Sequence, residues 1–315
     1  MNSEKMTQLV GICCVNIATL AWASNMVVGR LVRDSIGPVT LSASRFVVAA
    51  AIFYVLFKRL PPAERNITSD WRLLAAMGVI GVVLFSPTLY WGLHYTTAVN
   101  GTIINGLAPL LTGLLAALLI GEPMTRRQLG GAVLALLGVM ILVSGGGLSF
   151  WHAAQLNKGD IIVLAAVAMW GLYSILASRV MRRRSPVATT ALSTFFGLPV
   201  LCLLSVWEVQ YVPVRYDLDV LLAVVYLGVV PAAGGFFAWN AGVARLGSAG
   251  AMVFYNTLPL YGALLGVLLL EEPVGYAHLA GGLLIVAGGL FGAARKRPGA
   301  AVIAEDHPDT GVVKQ

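Results

Sequence analysis

Gly101-Thr102-Ile103-Ile104-Asn105-Gly106-Leu107-Ala108-Pro109 and Ala251-Met252-Val253-Phe254-Tyr255-Asn256-Thr257-Leu258-Pro259 read as two versions of one stretch. Each runs on through apolar residues to a Glu-Pro pair, at Glu122-Pro123 and Glu272-Pro273, and one offset of 150 relates them (259 − 109 and 273 − 123). The chain is an internal duplication. Nearer the start of each copy the offset is 148, pairing Trp22 with Trp170 and Pro38 with Pro186 (170 − 22 and 186 − 38). Pro, Trp and Glu positions agree together, which a chance match of apolar sequence would not produce.

Composition sets the solvent. Hydrophobic residues make up 58% of the 315 and charged residues 11%, too little charge to cover a water-facing surface of this size. A membrane span needs roughly 20 mostly apolar residues. Such runs fall at about 9–28, 39–57, 73–95, 98–120 and 129–144, and again at about 161–180, 187–206, 218–241, 249–270 and 277–294. The runs are continuous rather than alternating, which disfavours a β-barrel. The expected fold is an all-α polytopic membrane protein with ten transmembrane helices in two five-helix repeats. The first run is too long for a cleaved signal sequence and reads as a retained helix. The boundaries are residues 1–7 as an N-terminal segment, 8–148 and 159–294 as the repeats, and 295–315 as a polar tail expected to be disordered.

Basic residues orient the bundle. With the N-terminus in the cytoplasm, sixteen of the 21 Lys and Arg fall on cytoplasmic segments, four (Arg30, Arg33, Lys158 and Arg215) on outer segments, and Arg45 within the second span. This bias predicts a multi-pass protein with both termini facing the cytoplasm. The net charge of +7 is then a topology signal, and nucleic-acid binding is not expected, because no soluble face is large enough to carry a basic patch. Five spans per copy is an odd number, so the second copy enters the membrane inverted. Inverted repeats place a binding site at their interface near mid-membrane and support alternating access.

Candidate binding residues follow from polar and aromatic groups inside the spans. Trp22 and Asn25 share a face of the first span, and Trp170, Tyr173 and Ser174 share one of the sixth. The third span carries Tyr90, Trp91 and His94 on one stripe; Tyr90 is deepest, whereas Trp91 and His94 could equally form an interfacial belt. Asn105 and Tyr255 occupy equivalent positions, with Asn256 beside them and Pro109 and Pro259 following. Proline frees a carbonyl that protein or cavity water must satisfy, so paired interruptions point to a binding site, with helix packing as the alternative. Trp239 and Asn240 are a candidate gate or an interface anchor. Arg45, the one basic residue well inside a run, needs a partner: a substrate carboxylate or, favoured here, helix-end carbonyls or snorkelling toward the surface. Glu122 and Glu272 read as structural helix ends rather than proton carriers. Gly131, Gly138 and Gly145, with Gly281, Gly282, Gly288 and Gly289, form smooth faces expected to pair the repeats, or to make a homodimer seam.

The Trp22 region with Arg45, the Asn105 to Pro109 stretch, Gly121-Glu122-Pro123 and Glu271-Glu272-Pro273 resemble the EamA family of the drug/metabolite transporter superfamily. The resemblance covers about residues 8–294 and implies a ten-helix secondary carrier, most often an exporter of small metabolites; bacterial members include exporters of amino acids, aromatic ones among them. Small multidrug-resistance relatives carry a Glu within the first helix. Here the first run holds Asn16, Trp22 and Asn25 and no acid, which argues against drug-cation export by that route.

No phosphate loop, H-E-x-x-H or G-x-S-x-G motif is present, and Cys13, Cys14 and Cys202 lack metal or disulfide spacing. No enzyme activity, cofactor or metal is therefore expected. The leading expectation is an exporter of small metabolites, amino acids included, whose partners are its substrate and the bilayer, as monomer or homodimer. Alternatives are a nucleotide-sugar or drug-metabolite carrier in the same fold and, in a different class, a membrane-embedded enzyme or channel.

Overall fold

Lipid offers no hydrogen bonds to the backbone, so a chain of this composition satisfies its peptide groups within helices. The computed structural model describes residues 3–67, 70–121, 125–143, 157–215 and 217–293. The first repeat comprises α1 (Ser3–Leu31), α2 (Pro38–Lys58), the short α3 (Pro62–Arg65), α4 (Trp71–Met77), a π-helical turn (Gly78–Leu84), α5 (Phe85–Tyr95), α6 (Ala98–Asn105), α7 (Ala108–Ile120) and α8 (Arg126–Val143). The second comprises α9 (Lys158–Val180), α10 (Pro186–Glu208), α11 (Leu218–Leu227), a second π-helical turn (Gly228–Gly234), α12 (Gly235–Tyr255), α13 (Leu258–Leu270) and α14 (Tyr276–Ala293). No strand occurs among the described residues. Glu122, Pro123, Gly145 and the polar tail lie outside them.

The duplication persists at the level of backbone irregularities. Both π-helical turns span seven residues at positions 150 apart. Both α7 and α13 run 13 residues, start with a proline in the first turn, and end on a left-handed residue, Gly121 (φ 69°) and Glu271 (φ 52°). Glycine adopts that conformation freely; Glu271 does so against the usual steric preference.

Packing shows the inversion. α1 of the first repeat lies against α12 and α13 of the second, and α9 of the second lies against α5 and α7 of the first. α2 packs on its mate α10, and α8 on its mate α14. That exchange of neighbours is what a two-fold relation between the halves produces. The α8–α14 seam is made of glycine: a Cβ on Gly138 would stand 2.6 Å from the Gly281 carbonyl oxygen, and one on Gly288 would stand 2.5 Å from that of Gly131. These glycines pair the repeats through direct backbone approach. Outward, Leu118, Leu203, Leu268 and Leu283 are exposed, as residues facing lipid should be.

Among the described residues, six stretches are long and apolar enough to cross a membrane alone; α6 and α7 together make a further one, bent by 44°, and α13 and α14 are shorter apolar helices. One element departs from the expected boundaries. Residues 242–248, expected to connect the eighth and ninth spans, lie inside the continuous α12, whereas the matching connection in the first repeat breaks at Thr96 and Thr97. The break is held by side chains: Thr97 Oγ1 accepts from the Asn100 amide, and Glu272 accepts from the amides of Ala98 and Val99 at 2.9 Å each.

Candidate substrate cavity between the repeats

Trp22 and Trp170, equivalent by the 148-residue offset, each anchor an aromatic group. Trp22 lies 5.4 Å from Trp239 and 6.0 Å from Tyr255 between ring centroids, and Trp239 lies 5.9 Å from Tyr255. Trp170 stacks on Tyr173 at 5.3 Å and tilts against Phe85 at 5.2 Å. These groups line a cavity of two compartments, about 160 and 360 Å³, which share Trp22, Trp170, Tyr173, Thr190, Phe236 and Tyr255. Such apolar walls with few polar groups are the usual make-up of a small-molecule site.

Both π-helical turns contribute. Gly81 and Val82 from the first, and their mates Pro231 and Ala232 from the second, line the smaller compartment. A π-turn widens the helix locally and turns backbone toward the cavity, which is why such turns recur at functional sites.

The smaller compartment carries one charged side chain. Arg45 is 5% exposed; one terminal nitrogen donates to Asn25 Oδ1 at 2.7 Å and the other to Ser86 Oγ at 2.9 Å. Its guanidinium also lies over the rings of Phe46 (4.7 Å) and Tyr90 (5.1 Å). Tyr90 donates to Asn25 Oδ1 at 2.8 Å, and Ser42 bonds Ser86 at 2.8 Å. The expectation that helix-end carbonyls or snorkelling would accommodate Arg45 is overturned: it points inward, among neutral side chains.

The larger compartment extends from the shared aromatics along α7, α9, α10 and α12 to Met181 and Thr189. Pro109, Ser174, Trp239 and Asn240 line it, and Asn240 Nδ2 is buried without a hydrogen-bond partner. At the opposite end of the bundle side chains tie the helices together. Arg30 Nε pairs with Glu272 at 2.7 Å while its terminal nitrogen donates to the carbonyls of Leu93 and Thr96, and Asp160 accepts from Thr96 and Asn100. Glu272 thus sits at a helix end, remote from the cavity lining. At the Met181 end, Arg184 pairs with Asp70 at 3.1 Å, and Glu64 accepts from the Ser185 amide at the start of α10.

The sequence-derived candidates divide accordingly. Trp22, Asn25, Asn105, Trp170, Tyr173, Ser174 and Tyr255 line the cavity, together with Trp239, Asn240 and Pro109. Tyr90 is buried behind Asn25 and supports it. Trp91, 51% exposed, and His94 face outward, on the belt side of the two readings offered for them. Asn256 is buried against Gly289 of α14, because it follows Tyr255 by one residue and so points about 100° away. Pro259 packs near Gly106 at the helix break. Phe85, Thr190, Ser193, Thr194 and Phe236 line the cavity without having been singled out; for the last four the only sequence signal is equivalence to Ser42, Arg45, Phe46 and Ser86 in the other repeat.

The EamA-like transporter family matches residues 9–144 and 157–292. The chain is similar to the uncharacterized transporter YyaM of Bacillus subtilis, 26% identical over 80% of this chain and 83% of that one. It is similar to a probable terminal-alkyne amino-acid exporter of Streptantibioticus cattleyicolor, 29% identical over 86% of this chain and 89% of that one. A probable amino-acid metabolite efflux pump of Salmonella typhimurium is 24% identical over 86% and 91%. One crystal structure, 23% identical and covering 91% of this chain and 96% of its own, shares the fold with a TM-score of 0.59. Two matched repeats that cover nearly the whole chain, enclosing one cavity at their interface, settle the family: the protein belongs to the EamA-like transporters.

Proposed function

We propose that this transporter is a secondary exporter of small amino-acid-like metabolites, aromatic ones included, working by alternating access across a bacterial inner membrane with both termini in the cytoplasm. The observation that carries this reading is the cavity between the repeats, walled by two aromatic groups from equivalent positions and extending toward the Met181 end. By the distribution of basic residues that end is cytoplasmic, and the Arg30–Glu272 pair lies at the outer end. Aromatic walls suit flat apolar side chains and add cation-π contact to an ammonium. The names of the Streptantibioticus and Salmonella relatives point to the same substrate class. A nucleotide-sugar carrier would need several cations for its phosphates, and Arg45 is the only one lining either compartment among the described residues.

The test is counterflow: purified protein in liposomes preloaded with phenylalanine should concentrate labelled phenylalanine, with saturation. Failure to move any member of a broad amino-acid panel overturns the substrate class. Conductance without saturation would indicate a channel, and chemical conversion of substrate an enzyme.

A further inference from the structure

Two-fold related halves let each cavity residue be compared with its mate. Asn25 and Arg45 correspond to Tyr173 and Ser193 by the 148-residue offset (173 − 25 and 193 − 45), and Ser86 and Tyr90 correspond to Phe236 and Asn240 by the 150-residue offset (236 − 86 and 240 − 90). α2 and α10 hold matching places, each packed on the π-helical turn of the other repeat, with Ser193 where the first repeat has Arg45. The fold therefore does not require a cation at this position. Where the first repeat presents Asn25, Arg45 and Ser86, the second presents Tyr173, Ser193 and Phe236, and all but Ser86 line one compartment. One wall is cationic and polar, the facing wall aromatic.

Arg45 is also electrically unfinished. A guanidinium carries five N–H donors, and the acceptors around this one, Asn25, Ser86 and the Tyr90 hydroxyl, are all neutral. Its Nε is buried without a hydrogen-bond partner, and no carboxylate of the described residues lies within ion-pair distance of it. An uncompensated buried cation is costly, and an anion that reaches it recovers that cost. No Asp or Glu lines either compartment among the described residues, so an ammonium would meet no complementary charge.

We infer that Arg45 is a carboxylate subsite and that the carboxylate, not the amine, anchors the ligand, so the cavity takes aryl-alkyl carboxylates whether or not they carry an amino group. The head binds Arg45 as a charge-assisted pair, with Asn25 and Ser86 holding the guanidinium in place, and the ring lies against Tyr173, Trp170 and Phe236. This rests on the proposal of amino-acid export and narrows it.

Equilibrium binding to the purified full chain, with three probes, tests it: L-phenylalanine, 3-phenylpropionate (no amine) and phenethylamine (no carboxylate). Wild type should bind the two acids with similar affinity and the amine at least about tenfold more weakly. Arg45→Gln should lose about tenfold or more for both acids with the amine unchanged, and Arg45→Lys should retain part of the acid affinity. Phenethylamine binding as tightly as the acids, or no binding of either acid to wild type, overturns the inference, as does undiminished acid binding in a folded Arg45→Gln. If that variant does not fold, the wild-type probe series decides alone. Equal phenylalanine counterflow by wild type and Arg45→Gln would sink the subsite while leaving amino-acid export standing; acid binding through Arg45 with no amino-acid counterflow would do the reverse.

Discussion

The hydroxyl of Tyr255 donates to Asn105 Oδ1 at 3.1 Å, and the two residues hold the same position in the two repeats, 150 apart. An axis relating the halves must pass close to that bond, since it joins a site to its own image. Both residues line the cavity, so the cavity lies on the axis. A site there is touched equally by both halves, which is the geometry the proposed alternating access requires.

Breaking this bond should loosen the repeats. Tyr255→Phe strands the buried Asn105 oxygen and should cost about 1 kcal/mol, visible as a lower unfolding temperature in detergent. Asn105→Ala should cost a similar amount, and the double variant less than the sum, because both remove one interaction.

Removing an aromatic wall should disable transport. Trp170→Ala deletes the ring between Phe85 and Tyr173 and should lower counterflow about tenfold or more. Trp91→Ala and His94→Ala, on the outward face, should leave it near wild type. Loss of activity in the latter pair with normal folding would place the path elsewhere.

The Arg30–Glu272 pair should act as a latch. Glu272→Gln keeps an acceptor for the α6 amides but removes the charge facing Arg30. In a background lacking Cys13, Cys14 and Cys202, a Phe85→Cys reporter should be labelled by an impermeant thiol reagent faster from the outer side when Glu272 is Gln. Unchanged labelling would mean that the pair serves only as a helix cap.

The glycine seam gives a stability contrast. Gly138→Ala drives a methyl against the Gly281 carbonyl and Ile285, and backbone cannot yield cheaply there, so a loss of about 1–3 kcal/mol is expected. Gly113→Ala meets open space in α7 and should be neutral or stabilising by up to about 1 kcal/mol. Thermal unfolding of the two variants side by side checks this.

The sequence alone determined the duplication, the apolar segments and the inversion, because each rests on properties that add along the chain: hydropathy over 20 residues, the parity of spans, and residues recurring at fixed offsets. It also placed Trp22, Trp170, Asn105 and Tyr255 correctly as equivalents. What it could not decide was direction. Helical period groups Trp91 and His94 on one stripe, but in lipid both the outer and inner faces of a helix are apolar, so nothing in composition says which face turns inward. Only neighbours from the other repeat do that. They turned Asn256 toward α14, put Tyr90 behind Asn25, carried α12 unbroken through its expected connection, and enclosed Arg45 among neutral oxygens and rings rather than at a surface. A single Arg in an apolar run costs the same on paper wherever it points; the groups that packing brings around it decide whether it snorkels or waits for an anion.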